Sequence, residues 1–299
     1  IGGIGLLINT NRQKAWKSAS GGGGAKVLGD FDVNKVAGLR IQTKDGEINV
    51  IRKGAEWTVK ERGGYPAKFS TVADFVRKVA ELKVVQSEQI GESQFARMEV
   101  NTPKAEKGPG VLVEMIGEDG KPLKSLLLGK QQMKKSEQNS PMGGGSDFAV
   151  GRWVLNTGDK QNILLVSETF SDATTDGKDW LDKGFVEVQK LKSIEVMAPE
   201  KTNSWKVIRD KEDGTWQLQD VKKTENIDTN KVSSVGNPLG SPSFQDVVTG
   251  KKPEELGLDK PTGVKLATFD GFNYDVKIGN KTEGDDYYFQ VTVAGNPVK

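Results

Sequence analysis

Apolar and polar residues alternate with a period of two along several short stretches of this chain. In "VAGLRIQT", Leu39 and Ile41 alternate with polar neighbours, as in a half-buried strand. The stretch "VIRKGAEWTVKE" then reads as a hairpin. Ile48 and Val50 share one face, and Trp57 and Val59 follow on the return strand. Beyond it the spacing changes. "STVADFVRKVAEL" sets Val72, Phe75, Val76, Val79 and Leu82 on one helical stripe, with Ser70 as N-cap. A turn in "ARMEVNTP" leads to a second strand pair carrying Val111, Val113, Leu126 and Leu128. "DFAVGRWVLN" and a final strand from Ile163 to Val166 complete the run.

The same order is then written again. Ile194 and Val196 stand where Leu39 and Ile41 stood. The hairpin "VIRDKEDGTWQLQD" repeats the first one, with Trp205 and Val207, then Trp216 and Leu218, around an Asp213-Gly214 turn. "DTNKVSSVGNPLGSPSFQDVV" keeps helical spacing at Val232, Val235 and Leu239, with Asp228 as cap. Gly236, Pro238 and Gly240 should shorten or break that helix. "EELGLDKP" matches "ARMEVNTP", pairing Met98 with Leu256, Val100 with Leu258 and Pro103 with Pro261. Val264, Leu266, Val276 and Ile278 form the second strand pair, closed by Gly279 as Gly129 closes the first. "DYYFQVTVAG" follows as the next strand.

The expected fold class is therefore α+β. Two tandem duplicated units each carry an antiparallel sheet with a helix packed on one face. The expected divisions are residues 1–25, a truncated membrane anchor and Gly-rich tether, then 26–175 and 176–299, with the break in the polar stretch Ser171 to Trp180. Nothing in the second copy matches Ile163 to Val166. The chain is accordingly expected to be a fragment at both ends, its second unit lacking at least a last strand and leaving a sheet edge open.

Composition narrows the chemistry. The chain has 43 basic and 41 acidic residues and a formal net charge of +2, with no dense basic block, which argues against nucleic acid as a partner. It has no histidine and no cysteine. Ser–His–Asp, Cys–His and His- or Cys-based metal chemistry are therefore excluded. An enzyme would have to work with carboxylates, Lys, Tyr, Ser or a hard cation. The opening run from Ile1 to Ile8 is apolar or glycine. It is too short to span a bilayer, which takes about 20 apolar residues, and reads as the tail of an N-terminal anchor. Arg12, Lys14 and Lys17 just beyond it pull against an outward-facing domain. "SASGGGGA" is a flexible tether; no Lys-Ser/Thr pair follows to make it a phosphate loop.

Individual side chains offer little chemistry. Trp57 and Trp216 read as core anchors rather than a ligand platform, because they recur at matching places. Arg152 and Trp153 are the candidate ligand or partner surface. "DKEDG", Asp210 to Gly214, reads as a solvated turn rather than a calcium loop. Asp285 and Asp286 are adjacent on the chain and would point to opposite faces of a strand. No catalytic, cofactor-binding or metal-ligating residue is expected, and no cofactor.

The "W.V" hairpin, the amphipathic helix, "GRWVLNTGDKQNILLV", "DWLDKGF" at Asp179 to Phe185 and "LGLDKP" at Leu256 to Pro261 together resemble the bacterial family called domain of unknown function 4340. The likeness runs over about residues 26–299. Two features depart from it: "MEVNTP" stands in place of "LGLDKP" in the first copy, and its loop from Lys130 to Ser146 is long. The resemblance implies a membrane-tethered protein whose main domain is extracytoplasmic, encoded beside ABC-type export systems of the gliding-motility kind. It implies no activity, so no catalytic residue is carried over. The expected function is a non-catalytic accessory or scaffold whose partners are ABC-type transporter subunits. The alternative is a glycan- or peptide-binding module with a groove lined by Trp153, or by Tyr287, Tyr288 and Phe289.

Overall fold

The computed structural model describes residues 24–135, 147–219, 228 and 239–295. The chain divides into two compact units, Ile1–Asp182 and Lys183–Lys299. The segment 171–180, expected to separate them, is packed into the first unit through Trp180. Of the expected anchor and tether over residues 1–25, residues 1–23 lie outside the described residues. Among the described residues, no helix is long and apolar enough to cross a membrane.

The first unit is built on β1 (Val36–Gln42), β2 (Glu47–Lys53), β3 (Glu56–Val59), β4 (Tyr65–Pro66) and β5 (Gln86–Gln89). It continues through β6 (Val111–Gly117), β7 (Pro122–Lys134), β8 (Phe148–Asn156) and β9 (Asn162–Val166). Across the sheet they run β4-β3-β2-β1-β6-β7-β8-β9-β5. Each neighbouring pair is antiparallel. Registered pairs such as Leu39↔Val50, Leu39↔Met115 and Val113↔Leu126 put one apolar row on a single face. Leu39, Ile48, Val50, Met115 and Leu126 in that row are all at most 1% exposed. Each side chain buried to this degree contributes about 1.5–3 kcal/mol. The run Leu126-Leu127-Leu128 shows that β7 is covered on both sides. Leu127 points to the opposite face, into a second cluster with Phe95, Met98, Val100, Leu155 and Ile163.

Among the described residues of this unit one helix of length forms, α1 (Phe69–Ala80). Its stripe Val72, Phe75, Val76 and Val79 is buried, as the spacing requires. It starts one residue before the expected cap. Lys68 is the N-cap residue and makes no side-chain cap bond, and Ser70 lies within the first turn. A further α-helix is a single turn, Phe95–Met98, stopped by Glu99 in the left-handed region at φ 56°.

The second unit is built on β10 (Leu191–Met197), β11 (Trp205–Ile208), β12 (Gln217–Leu218), β13 (Thr262–Thr268), β14 (Phe272–Lys281) and β15 (Tyr287–Gly295). They run β12-β11-β10-β13-β14-β15, again antiparallel throughout. Ile194, Val207 and Leu266 form the buried row with Val188 and Leu191. The alternate row is polar, with Lys206 bound to Glu195 at 3.4 Å across the β10–β11 pair.

The α+β expectation is corrected by these elements. The protein is mostly β: two antiparallel sheets of nine and six strands, with two short helices, both in the first unit, among the described residues. Among the described residues, a helix on each sheet is not found. Only one helical stripe in the described residues reaches the length that packing can sustain, and the remaining apolar periodicity is two. The second expected helix, over 228–239, lies mostly outside the described residues.

The two sheets share a strand order. β3-β2-β1-β6-β7-β8 in the first matches β12-β11-β10-β13-β14-β15 in the second. The irregularities match as well. β1 bulges against β6 between Val36 and Gly38, and β10 against β13 between Leu191 and Ser193. β7 shifts register between Leu128 and Gln131, and β14 between Ile278 and Lys281. Inside these last two bulges sit Gly129 and Gly279. A Cβ on Gly129 would overlap the Met98 carbonyl oxygen, and one on Gly279 the Leu256 carbonyl oxygen. Each glycine therefore lets a preceding turn cross close over its strand. Gly129→Ala and Gly279→Ala are each expected to destabilise their own unit by about 1–3 kcal/mol. Urea unfolding would measure this, and a loss below about 0.5 kcal/mol would mean that the crossing relaxes freely.

Candidate functional site

Arg152 and Trp153 are consecutive on β8 and therefore face opposite sides of the sheet. The structure does not bring them together into one surface. The Arg152 guanidinium is turned into the protein. Its Nε donates to the Gly129 carbonyl at 2.8 Å, and Nη1 donates to the carbonyls of Thr169 at 3.3 Å and Phe170 at 3.5 Å. Burial pulls its pKa below the ordinary arginine value, and the charge of Glu99 opposes that shift. Arg152 thus ties the β7 bulge to the segment after β9. Trp153 is half-buried against the cluster around Phe95 and Leu155.

The hairpin tryptophans are neither bare platforms nor fully buried anchors. Trp57 is directly opposite Arg52 across the β2–β3 pair. Both line a groove of about 480 Å³, open between α1, the segment 31–36 and this hairpin. Phe69, 65% exposed, and Val33 stand at its lips. Its cations are engaged at the rim. Arg52 binds Glu118 at 2.8 Å, Arg77 binds Asp74 at 2.8 Å, and Lys26 binds Asp30 at 2.7 Å. The hydrogen bond and charge of Asp30 raise the pKa of Lys26. The groove thus offers an apolar floor under a rim of paired charges, suited to an extended or planar ligand rather than to a reacting group.

The second unit has an Arg–Trp pair in a similar hairpin, but here it is closed. The Arg209 guanidinium carbon lies 4.7 Å from the centroid of the Trp216 ring and 5.9 Å from that of Phe269, while Nε donates to the Leu191 carbonyl. Trp216 therefore carries a cation on its ring face. The signal for this pair was present in the sequence: "VIR" and a following Trp occur in both hairpins. The groove itself was not legible, because three distant segments build it.

The two most distinctive motifs serve the fold. In "DWLDKGF", Trp180 is 1% exposed, its ring edge-on to Phe75 with centroids 5.5 Å apart. Its Nε1 donates to the Thr174 carbonyl. Lys68 N–H donates to the Trp180 carbonyl and Asp182 N–H to that of Pro66, so the motif straps the start of α1. Phe185 at the end of the same motif packs in the second unit, 5.2 Å from Phe244 and 5.7 Å from Phe289. In "LGLDKP", Leu256 is buried and Gly257 adopts φ 68° to end a 3-10 turn. The Leu258 N–H then closes back on the Pro253 carbonyl.

The acidic candidates are also held in turns. Asp285 pairs with Lys281 at 2.7 Å, the Asp286 carbonyl accepts from the Thr282 N–H, and Asp213 lies 3.6 Å from Lys211. Among the described residues, no three acidic side chains gather closely enough to hold a metal ion. Tyr287 and Phe289 are exposed on β15, and Tyr288 lies under the Lys251 ammonium, 6.0 Å from its ring centroid.

No curated protein and no solved structure matches the chain. A family does. The family model described as Domain of unknown function (DUF4340) matches residues 57–261, more than half of the chain, and the chain belongs to that family.

Proposed function

We propose that this chain is a non-catalytic, membrane-tethered extracytoplasmic protein, an accessory or scaffold to an ABC-type transport complex. One observation carries the non-catalytic part. The residues that mark the chain most specifically, Trp180 and Leu181 in one motif and Leu256 and Gly257 in the other, close turns and fill cores rather than present reactive groups. The absence of histidine and cysteine supports the same reading. The tether and the transporter rest on the family resemblance and on the apolar opening of the chain.

We also infer that the second unit arose as a copy of the first. The shared order of six strands, the two matched bulges and the glycine beneath each crossing support this. Two related sheets in one chain would suit a scaffold that meets a large partner.

The role is tested by extracting a tagged version from its native membranes in mild detergent. Transporter subunits in fixed proportion are the expected co-purifying proteins. Recovery from the soluble fraction, or from membranes with no transporter subunit, overturns it. A second reading, an extracytoplasmic glycan- or peptide-binding module, is favoured by the groove over Trp57. In that case a glycan array or peptide library yields a ligand whose binding Trp57→Ala removes.

A further inference from the structure

The two hairpins hold the same pair of residues in two different arrangements. Arg52 is opposite Trp57, with Val50↔Val59 and Ile51↔Thr58 before it. Arg209 and Trp216 take the corresponding places, one step beyond Val207↔Leu218 and Ile208↔Gln217. In the second unit the guanidinium lies on the ring, 4.7 Å from its centroid, and Nε donates to the Leu191 carbonyl. In the first unit the guanidinium pairs instead with Glu118 at 2.8 Å, and Arg52 makes no ring contact with Trp57.

The register identifies the neighbour that differs. Val36 is opposite Gly117 as Leu191 is opposite Thr268. Glu118 follows Gly117 and Phe269 follows Thr268, so the two hold one place in the two sheets. Phe269 gives Arg209 a second ring, its centroid 5.9 Å from the guanidinium carbon. Glu118 gives Arg52 a carboxylate. The Glu118 side chain is 77% exposed and that of Arg52 29%, so their ion pair meets water and is weak. A cation on an exposed aromatic face is stabilised by a similarly small amount. Neither position of the arginine is locked, and residue 118 decides between them.

We propose that Arg52 is a gate on the groove over Trp57, held open by Glu118. In the closed position its guanidinium lies on the Trp57 ring, as that of Arg209 lies on Trp216, and its Nε donates to the carbonyl of Val36, the counterpart of Leu191. Arg52, Trp57 and Val36 all line the groove, so closure puts a charged group over the aromatic part of its floor. A ligand that stacks on Trp57 binds the open position alone and therefore favours it. The inference deepens the ligand-binding reading, and its consequence for binding rests on that reading. The movement of Arg52 does not.

The test follows the arginine Nε–H signals of the full 299-residue chain by nuclear magnetic resonance, assigned with Arg52→Lys and Arg209→Lys. Protons above an aromatic face are shifted upfield. In the native chain the Arg209 signal is expected upfield and the Arg52 signal at its ordinary position. Glu118→Phe is expected to move the Arg52 signal more than halfway to the Arg209 value. Glu118→Gln keeps the shape of the side chain, removes its charge, and is expected to move the signal the same way by less. Glu118 lies on the surface, so both variants keep the fold, which unchanged far-ultraviolet circular dichroism would verify. An Arg52 signal that stays put in both folded variants overturns the proposal, and so does one already upfield in the native chain. No ligand is needed for this readout. A blank glycan array and peptide library would sink the ligand-binding reading and leave the movement standing, whereas an unmoved Arg52 would do the reverse.

Discussion

Trp180→Ala is expected to destabilise the first unit by about 3–5 kcal/mol, the range for removing a fully buried large aromatic. The side chain is 1% exposed and sits edge-on to Phe75, which in turn meets Phe170 with ring centroids 6.1 Å apart. Removing the indole leaves a cavity beside the Phe75 ring and takes away the donor to the Thr174 carbonyl. The loss should extend to the neighbouring strap, because Lys68 and Asp182 bond to the same stretch and Ala67 bridges Leu181. Urea unfolding followed by far-ultraviolet circular dichroism would show one transition moving to lower denaturant while the second unit's transition stays in place. Trp180→Phe refills part of the cavity without restoring the donor, and should recover roughly half of the loss. A loss under about 1 kcal/mol would mean that the strap contributes little to holding the helix.

Arg152→Ala is the second large effect, with an expected loss of about 2–3 kcal/mol. The guanidinium reaches three carbonyls on two segments that share no strand pairing, Gly129 on one side and Thr169 and Phe170 on the other. Truncation leaves those acceptors without their charged donor and removes the side-chain stem from the packing. Arg152→Lys is the informative comparison. A single ammonium cannot span the three acceptors as the planar fork does, so the lysine variant should remain at least about 1 kcal/mol below the native chain. Equal stability of the lysine and native chains would reduce the role of this residue to charge alone.

The strands with one buried face were legible because burial writes itself as period two. Leu39, Ile41, Ile48 and Val50 alternate in the sequence and are buried in the structure. The stripe of α1 was legible for the parallel reason at period 3.6. β5 was not. Its residues are polar because they stay in water, and it joins the sheet through its backbone bonds to β9, which composition does not record. Trp180 stands in a polar stretch that reads as a linker, and only closure over α1 buries it. Arg152 reads as a surface cation because the sequence does not show that three carbonyls from two segments converge on it. The groove beside Trp57 has the same difficulty, since its walls come from 31–36, the β2–β3 hairpin and α1.

The position of β1 in its sheet has a consequence for how the chain acquires its structure. β1 pairs with β2 through a short turn, but its other neighbour is β6, with Leu39 opposite Met115, more than seventy residues later. β10 and β13 repeat the arrangement, with Ile194 opposite Leu266. Local hairpins can close in about 1–10 μs, whereas a partner so far along the chain must wait for a large loop to close. During synthesis at about 5–20 residues per second, the β1–β3 hairpins would remain for several seconds without their central neighbour. Each unit therefore passes through a stage in which a strand from the interior of its sheet is temporarily an edge. That interval, rather than the finished sheet, is when the chain most needs a chaperone, and slowing translation before β6 should increase aggregation more than slowing it after β8.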